Sequence, residues 1–346
     1  MMVEYDFSAI QSAVVKMLKV NMGLKEGEKV LFLCDVPTME DWYAEDEAYV
    51  QDFAIRTMMV RAAHRIAKEA FPQNEVELYL YPSCGGHGVE PKADVGEEML
   101  KYNVIIIINS WSLSHTTARL SACKKGARIA SCANLELGML LPDGVIDADY
   151  YRIAEKAQHI ADLITEARDV RIVTPEGTDL RFSVADRPGQ CDGGFYTQPG
   201  SWGNLPGGEA YAVPLEGTAE GTLVVPARWA YRLDEAMTFV IREGLIQEVK
   251  GGGQVGAELR QFLFSSGSPQ SRRNVAELGI GTNYRASKPD NVLECEKIDG
   301  TIHIGFGDNS HMGGLVESDY HDDMVMPHPD LYLDGKLVME QGRLLV

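Results

Sequence analysis

Four of the eight histidines, His303, His311, His321 and His328, fall in the last 44 residues. They are interleaved with Glu294, Glu296, Asp308, Glu317, Asp319, Asp322 and Asp323. Imidazole mixed with carboxylate is the donor chemistry that suits Zn, Co, Mn or Fe(II). Strand periodicity sharpens this. In Thr301-Ile302-His303-Ile304-Gly305-Phe306-Gly307 the apolar Ile302, Ile304 and Phe306 share one face. His303 lies on the other, beside two glycines that leave space above the backbone. In His321-Asp322-Asp323 the outer two residues are two apart, so an extended chain points both the same way and makes a two-ligand clip. In Ala276-Glu277-Leu278-Gly279-Ile280-Gly281, Glu277 again opposes the apolar face. Three segments that each set metal-ligand types against an apolar face predict one metal site.

Glu209 follows Asn204-Leu205-Pro206-Gly207-Gly208 and opens an apolar stretch. Locally it reads either as a solvated loop carboxylate or as a group beside a backbone that the glycine pair lets approach a ligand. That loop has no Gly-Lys-Ser/Thr of a phosphate loop. The chain also lacks GxSxG and His-Glu-x-x-His, so the serine-hydrolase and common zincin readings have no support.

The elements that must hold these residues change character along the chain. The spacing predicts helices over 7–22, 46–70, 116–125 and from Asp149 to about residue 167. Buried strands are predicted over 29–34, 76–81, 104–109 and 127–131. Strand alternating with helix implies an α/β domain with a mostly parallel sheet, Rossmann-like, over 1–168. From 169 to 346 the pattern implies a β-rich α+β domain that carries the metal site. Its hairpin is expected at 171–184 around Pro175-Glu176-Gly177, with strands at 209–214, 221–225 and 239–250 and a helix at 254–266.

Composition narrows the function. With 32 basic and 51 acidic residues the net charge is −19, which argues against nucleic-acid partners and against an anionic membrane surface. The longest aliphatic run, Val104-Ile105-Ile106-Ile107-Ile108, is far short of the ~20 residues that cross a bilayer. The acidic start, Met1-Met2-Val3-Glu4-Tyr5-Asp6, has no apolar region behind it, so no signal peptide is expected. Six scattered cysteines without a CxxC pair fit reduced thiols and a cytoplasmic protein.

A family resemblance rests on particular segments. In the first half they are Ser114-His115-Thr116-Thr117-Ala118-Arg119 and Gly126-Ala127-Arg128-Ile129-Ala130. In the second they are Gly177-Thr178-Asp179-Leu180-Arg181-Phe182, the Asn204–Glu209 loop, Ala276-Glu277-Leu278-Gly279-Ile280-Gly281-Thr282-Asn283, Glu296-Lys297-Ile298-Asp299-Gly300-Thr301-Ile302-His303 and Ser318-Asp319-Tyr320-His321-Asp322-Asp323. In order and spacing they resemble the M29 metallo-aminopeptidases of the aminopeptidase T type, most nearly the short leucyl-aminopeptidase-like branch. The same superfamily includes the iron-dependent 2,5-dihydroxypyridine 5,6-dioxygenases.

What the resemblance implies is a metal site of Glu209, Glu277, His303, His321 and Asp323, holding one or two divalent ions (Zn, Co or Mn), in a homodimer. The peptidases carry a metal-site tyrosine seven residues after the first histidine; here that position is Ser310, next to His311, a possible substituting ligand. The dioxygenases carry a histidine near the Glu277 segment, where this chain has glutamate. The expectation is therefore an aminopeptidase acting on small peptides or another small-molecule substrate through metal-activated water, with Glu277 as general base and Glu209 bridging two ions. Substrate contacts are expected from Trp202, in the loop before Glu209, and from His115 and Arg119 past the end of a parallel strand. The alternatives are an Fe(II) ring-cleaving dioxygenase, with His303, His321 and Asp323 as a facial triad, and a catalytically inactive binding protein.

Overall fold

A computed structural model of the chain describes residues 7–44, 47–230 and 233–346. The acidic start, residues 1–6, and the first residue of the helix expected over 46–70 lie outside the described residues. The chain divides into two compact units, Met1–Tyr150 with Gly194–Gly207, and Tyr151–Gly193 with Gly208–Val346. The helix Tyr150–Glu166, whose spacing we assigned to the first domain by setting the boundary near 168, thus falls from Tyr151 onward in the second unit. The first unit in turn takes back a later segment of chain.

The first unit is α/β, with a parallel sheet. Its strands run in the spatial order Glu75–Pro82, Lys29–Val36, Val104–Ile107, Arg128–Ser131 and Trp202–Asn204. All neighbouring pairs are parallel. Val104, Ile105, Ile106 and Ile107 are all fully buried, which is why this strand reads as an unbroken apolar run rather than an alternation. Helix Thr117–Lys124 starts where expected because the Thr116 hydroxyl accepts the Arg119 backbone N–H at 3.3 Å. The strand Trp202–Asn204 was not foreseen; we read this stretch as a loop.

The second unit is β-rich, with two antiparallel sheets. The larger has eight strands and includes the expected hairpin, Asp169–Val173 with Asp179–Ser183. The stretch 239–250, which we read as one strand, is two, Met237–Arg242 and Leu245–Gly251. Glu243 and Gly244 turn between them with φ of 49° and 72°. The smaller sheet has the order His321–Met326, Ile302–Gly307, Val275–Gly281, Glu209–Ala212 and Gln190–Asp192. One face of it is apolar and wholly buried: Ala210, Ala212, Leu278, Ile280, Ile302, Ile304, Phe306, Met324 and Met326 all join the core of this unit. At roughly 1.5–3 kcal/mol per large buried side chain, this face fixes the register. The opposite face then presents whatever the alternate positions carry.

No helix among the described residues is long and apolar enough to cross a membrane. All six cysteines are free thiols. Burial pushes the Cys34 and Cys132 thiols up to about 12, leaving them unreactive core groups.

Candidate metal centre

The register of the smaller sheet gathers the metal-ligand types into one patch. Glu277 lies opposite Gly305, and Gly305 opposite Asp323, so two carboxylates flank a glycine in one row. The next rows pair Gly279 with His303, Gly281 with Glu209, and Gly307 with His321. A Cβ on Gly305 would stand 2.9 Å from the Glu277 Cβ and 3.0 Å from both Asp323 Oδ1 and His321 Cε1. A Cβ on Gly279 would stand 1.9 Å from His303 Nε2. The glycines are what make room for the ligand types beside them.

Among the described residues, three sets of donors lie with their atoms within 4.8 Å of one another: Glu209–Glu277–His303, Glu277–His321–Asp323, and Glu296–His303–Asp323. No set holds both histidines, so the facial triad of His303, His321 and Asp323 expected from sequence is not among them. The reason is register. His303 and His321 sit at opposite ends of paired strands, and they reach the Glu277 carboxylate from either side, at 3.8 and 3.2 Å.

The set Glu277–His321–Asp323 fits a metal ion best. His321 Nε2 is 3.2 Å from Glu277 Oε2 and 3.5 Å from Asp323 Oδ1. His321 Nδ1 lies 2.7 Å from the Asp308 carbonyl oxygen. A nitrogen facing a carbonyl carries the proton, which leaves Nε2 as the ligand atom, the usual outer support of a metal-bound histidine. Asp323 Oδ1 is buried without a hydrogen bond among the described residues. The His321 and Asp323 side chains are 15% and 18% exposed, so this set is reached from solvent. His303 is 1% exposed, and its Nδ1 has no hydrogen-bond partner among the described residues.

The electrostatics are those of a cluster in which protons stand in for a cation. Burial by itself would raise the Glu277 carboxyl, but the two imidazoles outweigh burial and hold it down at about 2. Burial would lower the His303 imidazole; Glu277, Asp323 and Glu209 instead lift it to about 9. Burial pushes Glu296 up to about 8, against the pull of Lys297. The buried Lys297 ammonium lies 2.6 Å from Glu209 Oε1 and 2.9 Å from Glu296 Oε1.

A pH dependence follows for the metal-free protein. His303 moves from 6.5 up to about 9 on folding, so its contribution is full below 6.5 and is lost as pH rises through about 9. Glu296 moves from 4.5 up to about 8 and acts in the same direction over that lower window. At about 1.36 kcal/mol per pH unit, His303 alone accounts for about 3 kcal/mol. The denaturation midpoint of metal-free protein should therefore fall between pH 6 and 9, and a divalent cation should flatten the profile by displacing the protons. A midpoint that rises over that interval would contradict this electrostatic picture.

The remaining expected site residues lie elsewhere. His311 is in none of the three donor sets. Its Nε2 is 3.1 Å from Asp308 Oδ2, and Ser310 donates to Asp308 Oδ1 at 2.9 Å, so both act on the residue whose carbonyl orients His321. His115, Arg119 and Trp202 form one cluster in the first unit. Arg119 is buried, its guanidinium 3.9 Å above the Trp202 ring and its Nε donating to the Ser114 carbonyl at 2.7 Å. Arg119 thus has structural partners rather than an open carboxylate site. The close backbone approach anticipated at Gly208 is to protein: a Cβ there would meet Asn283 and Ile153 at 2.9 Å. Sequence reasoning missed Lys297 altogether. A charged Glu-Lys pair among Glu294, Cys295, Ile298 and Asp299 carries no local signal of burial.

An α/β unit and a β-rich unit whose sheet face carries interleaved carboxylates and imidazoles make a protein with a candidate metal centre. The chain belongs to the 2,5-dihydroxypyridine 5,6-dioxygenase family, whose model matches residues 10–346. It is 24% identical over 308 residues to the 2,5-dihydroxypyridine 5,6-dioxygenase of Pseudomonas putida KT2440, covering 82% of this chain and 85% of that one. The solved structure of the 2,5-dihydroxypyridine dioxygenase from the same organism covers 99% of both chains, with a TM-score of 0.73 and 18% identity. Wild-type AmpT from Thermus thermophilus covers 98% of this chain and 99% of its own, with a TM-score of 0.63 and 14% identity. The two structural likenesses show the fold.

These findings overturn the aminopeptidase expectation, and with it the hydrolytic roles given to Glu277 and Glu209. The family match and the curated relative both carry the dioxygenase description, whereas the likeness to AmpT is one of fold. The misreading has a physical source, since the same carboxylate and imidazole types serve both chemistries and do not distinguish them.

Proposed function

We propose that the chain is an Fe(II)-dependent dioxygenase that opens a small dihydroxylated nitrogen heteroaromatic ring, with Glu277, His321 and Asp323 holding the iron. The observation that carries this reading is the solvent-reached donor set Glu277–His321–Asp323 in a chain matched by the dioxygenase family over residues 10–346. Glu277 takes the ligand role near which the resemblance implied a histidine, giving one imidazole and two carboxylates. Iron bound there supplies the one-electron chemistry that lets ground-state dioxygen react with the ring.

The protein's own residues do the rest. Asp308 fixes the His321 tautomer through its carbonyl. Asp323 is held ionised, because His321 and His303 outweigh the burial that would protonate it. His303 Nε2 stands 3.4 Å from Glu209 Oε2 and 3.8 Å from Glu277 Oε1, placed to hold a proton within the cluster.

The test is anaerobic loading with Fe(II), then addition of 2,5-dihydroxypyridine in air with an oxygen electrode. One O2 should be consumed per ring lost, as both oxygen atoms enter the product. No oxygen uptake by protein carrying stoichiometric iron would sink the substrate assignment.

A further inference from the structure

Six side chains supply the three overlapping donor sets, and Glu277, His303 and Asp323 each belong to two of them. Four carboxylates and two imidazoles on one patch are more donors than one ion needs. They are enough for two ions that share a residue. What distinguishes the sets is Lys297. Its ammonium is bonded to Glu209 at 2.6 Å and to Glu296 at 2.9 Å, on a side chain 1% exposed. Glu209 is the carboxylate peculiar to one set, and Glu296 the carboxylate peculiar to another. The remaining set, Glu277–His321–Asp323, contains no carboxylate bonded to the lysine.

We propose that Lys297 is a built-in cation that takes the electrostatic place of a second metal ion, so that the cluster accepts one divalent ion, at Glu277, His321 and Asp323. The lysine is fixed from its backbone outward. Its N–H donates to the Glu294 carbonyl at 3.0 Å, and its carbonyl accepts the Asn283 N–H at 2.8 Å. A tethered ammonium cannot be displaced into solvent by a competing ion, and it neutralises the two carboxylates that a second ion would need. The inference rests on the metal-centre reading but not on ring cleavage.

The experiment is titration of metal-free protein with Mn(II), read by elemental analysis and by electron paramagnetic resonance. The native chain should bind one equivalent and show an isolated-ion signal. Lys297→Met keeps most of the length of the side chain and removes its charge, leaving Glu209 and Glu296 without their cation; it should bind two equivalents with an exchange-coupled signal. Lys297→Gln should behave the same way. Two equivalents on the native chain overturn this inference alone, and none overturns it together with the metal centre. A folded Lys297→Met chain that still binds one also overturns it. The native measurement stands even where a variant fails to fold.

Discussion

His321→Ala should strip the chain of its bound ion and lower metal-dependent oxygen uptake by about 10³-fold, or about 4 kcal/mol at 1.36 kcal/mol per tenfold. The expectation follows from the position of this one imidazole. Nε2 lies 3.2 and 3.5 Å from the two carboxylates of its set, and Nδ1 is committed to the Asp308 carbonyl. Alanine removes the only nitrogen donor of that set and leaves two like charges facing each other in a buried row, an arrangement that raises their proton affinity and favours protons over metal. His311→Ala provides the contrast. It touches Asp308 rather than the ion site, so its effect should stay within the 10–100-fold typical of outer partners. Elemental analysis of both variants, purified alongside the parent, decides the matter. A His321→Ala chain that keeps a full equivalent would assign the ion to one of the other two donor sets.

Gly279→Ala should cost stability out of proportion to its size, about 1–3 kcal/mol, and should weaken metal binding at the same time. The backbone of Gly279 is ordinary extended strand, so an alanine there carries no conformational penalty. The whole cost is collision: the new methyl would stand 1.9 Å from His303 Nε2, and the imidazole, fully buried, has nowhere to retreat. Moving His303 also removes a partner that holds Glu277 ionised. Gly96→Ala is the matched control. It sits in helix Ala93–Met99, where a methyl meets its neighbours at an ordinary 3.5 Å. That substitution should raise stability by about 0.5–1 kcal/mol. Chemical denaturation of the three metal-free chains gives the comparison. Equal midpoints for Gly279→Ala and the parent would mean that the His303 pocket is looser than its geometry indicates.

Much of the candidate metal centre was legible because its information is local. The two-residue spacing of His321 and Asp323 puts both on one face of any strand, whatever surrounds it. Likewise, the apolar alternates of Glu277 and His303 direct those side chains away from the core. Four strands of the parallel sheet were legible for the same reason, since they are short stretches rich in apolar residues separated by helical periods. Glu209 was not legible from its own segment. It joins the cluster only because Glu209 pairs with Gly281 across the sheet.

What sequence alone determined here is the set of faces: which side chains share a side of each strand, and hence that one sheet surface would collect carboxylates and imidazoles. Register between strands is set by packing of the opposite face, and only the tertiary structure decided it. It separated His303 from His321, so that no single donor set holds both. It brought Trp202–Asn204 back into the parallel sheet of the first unit, and it buried Lys297 between Glu209 and Glu296. Each of these joins residues far apart in the chain, and a one-residue slip in pairing would have turned every ligand into the core.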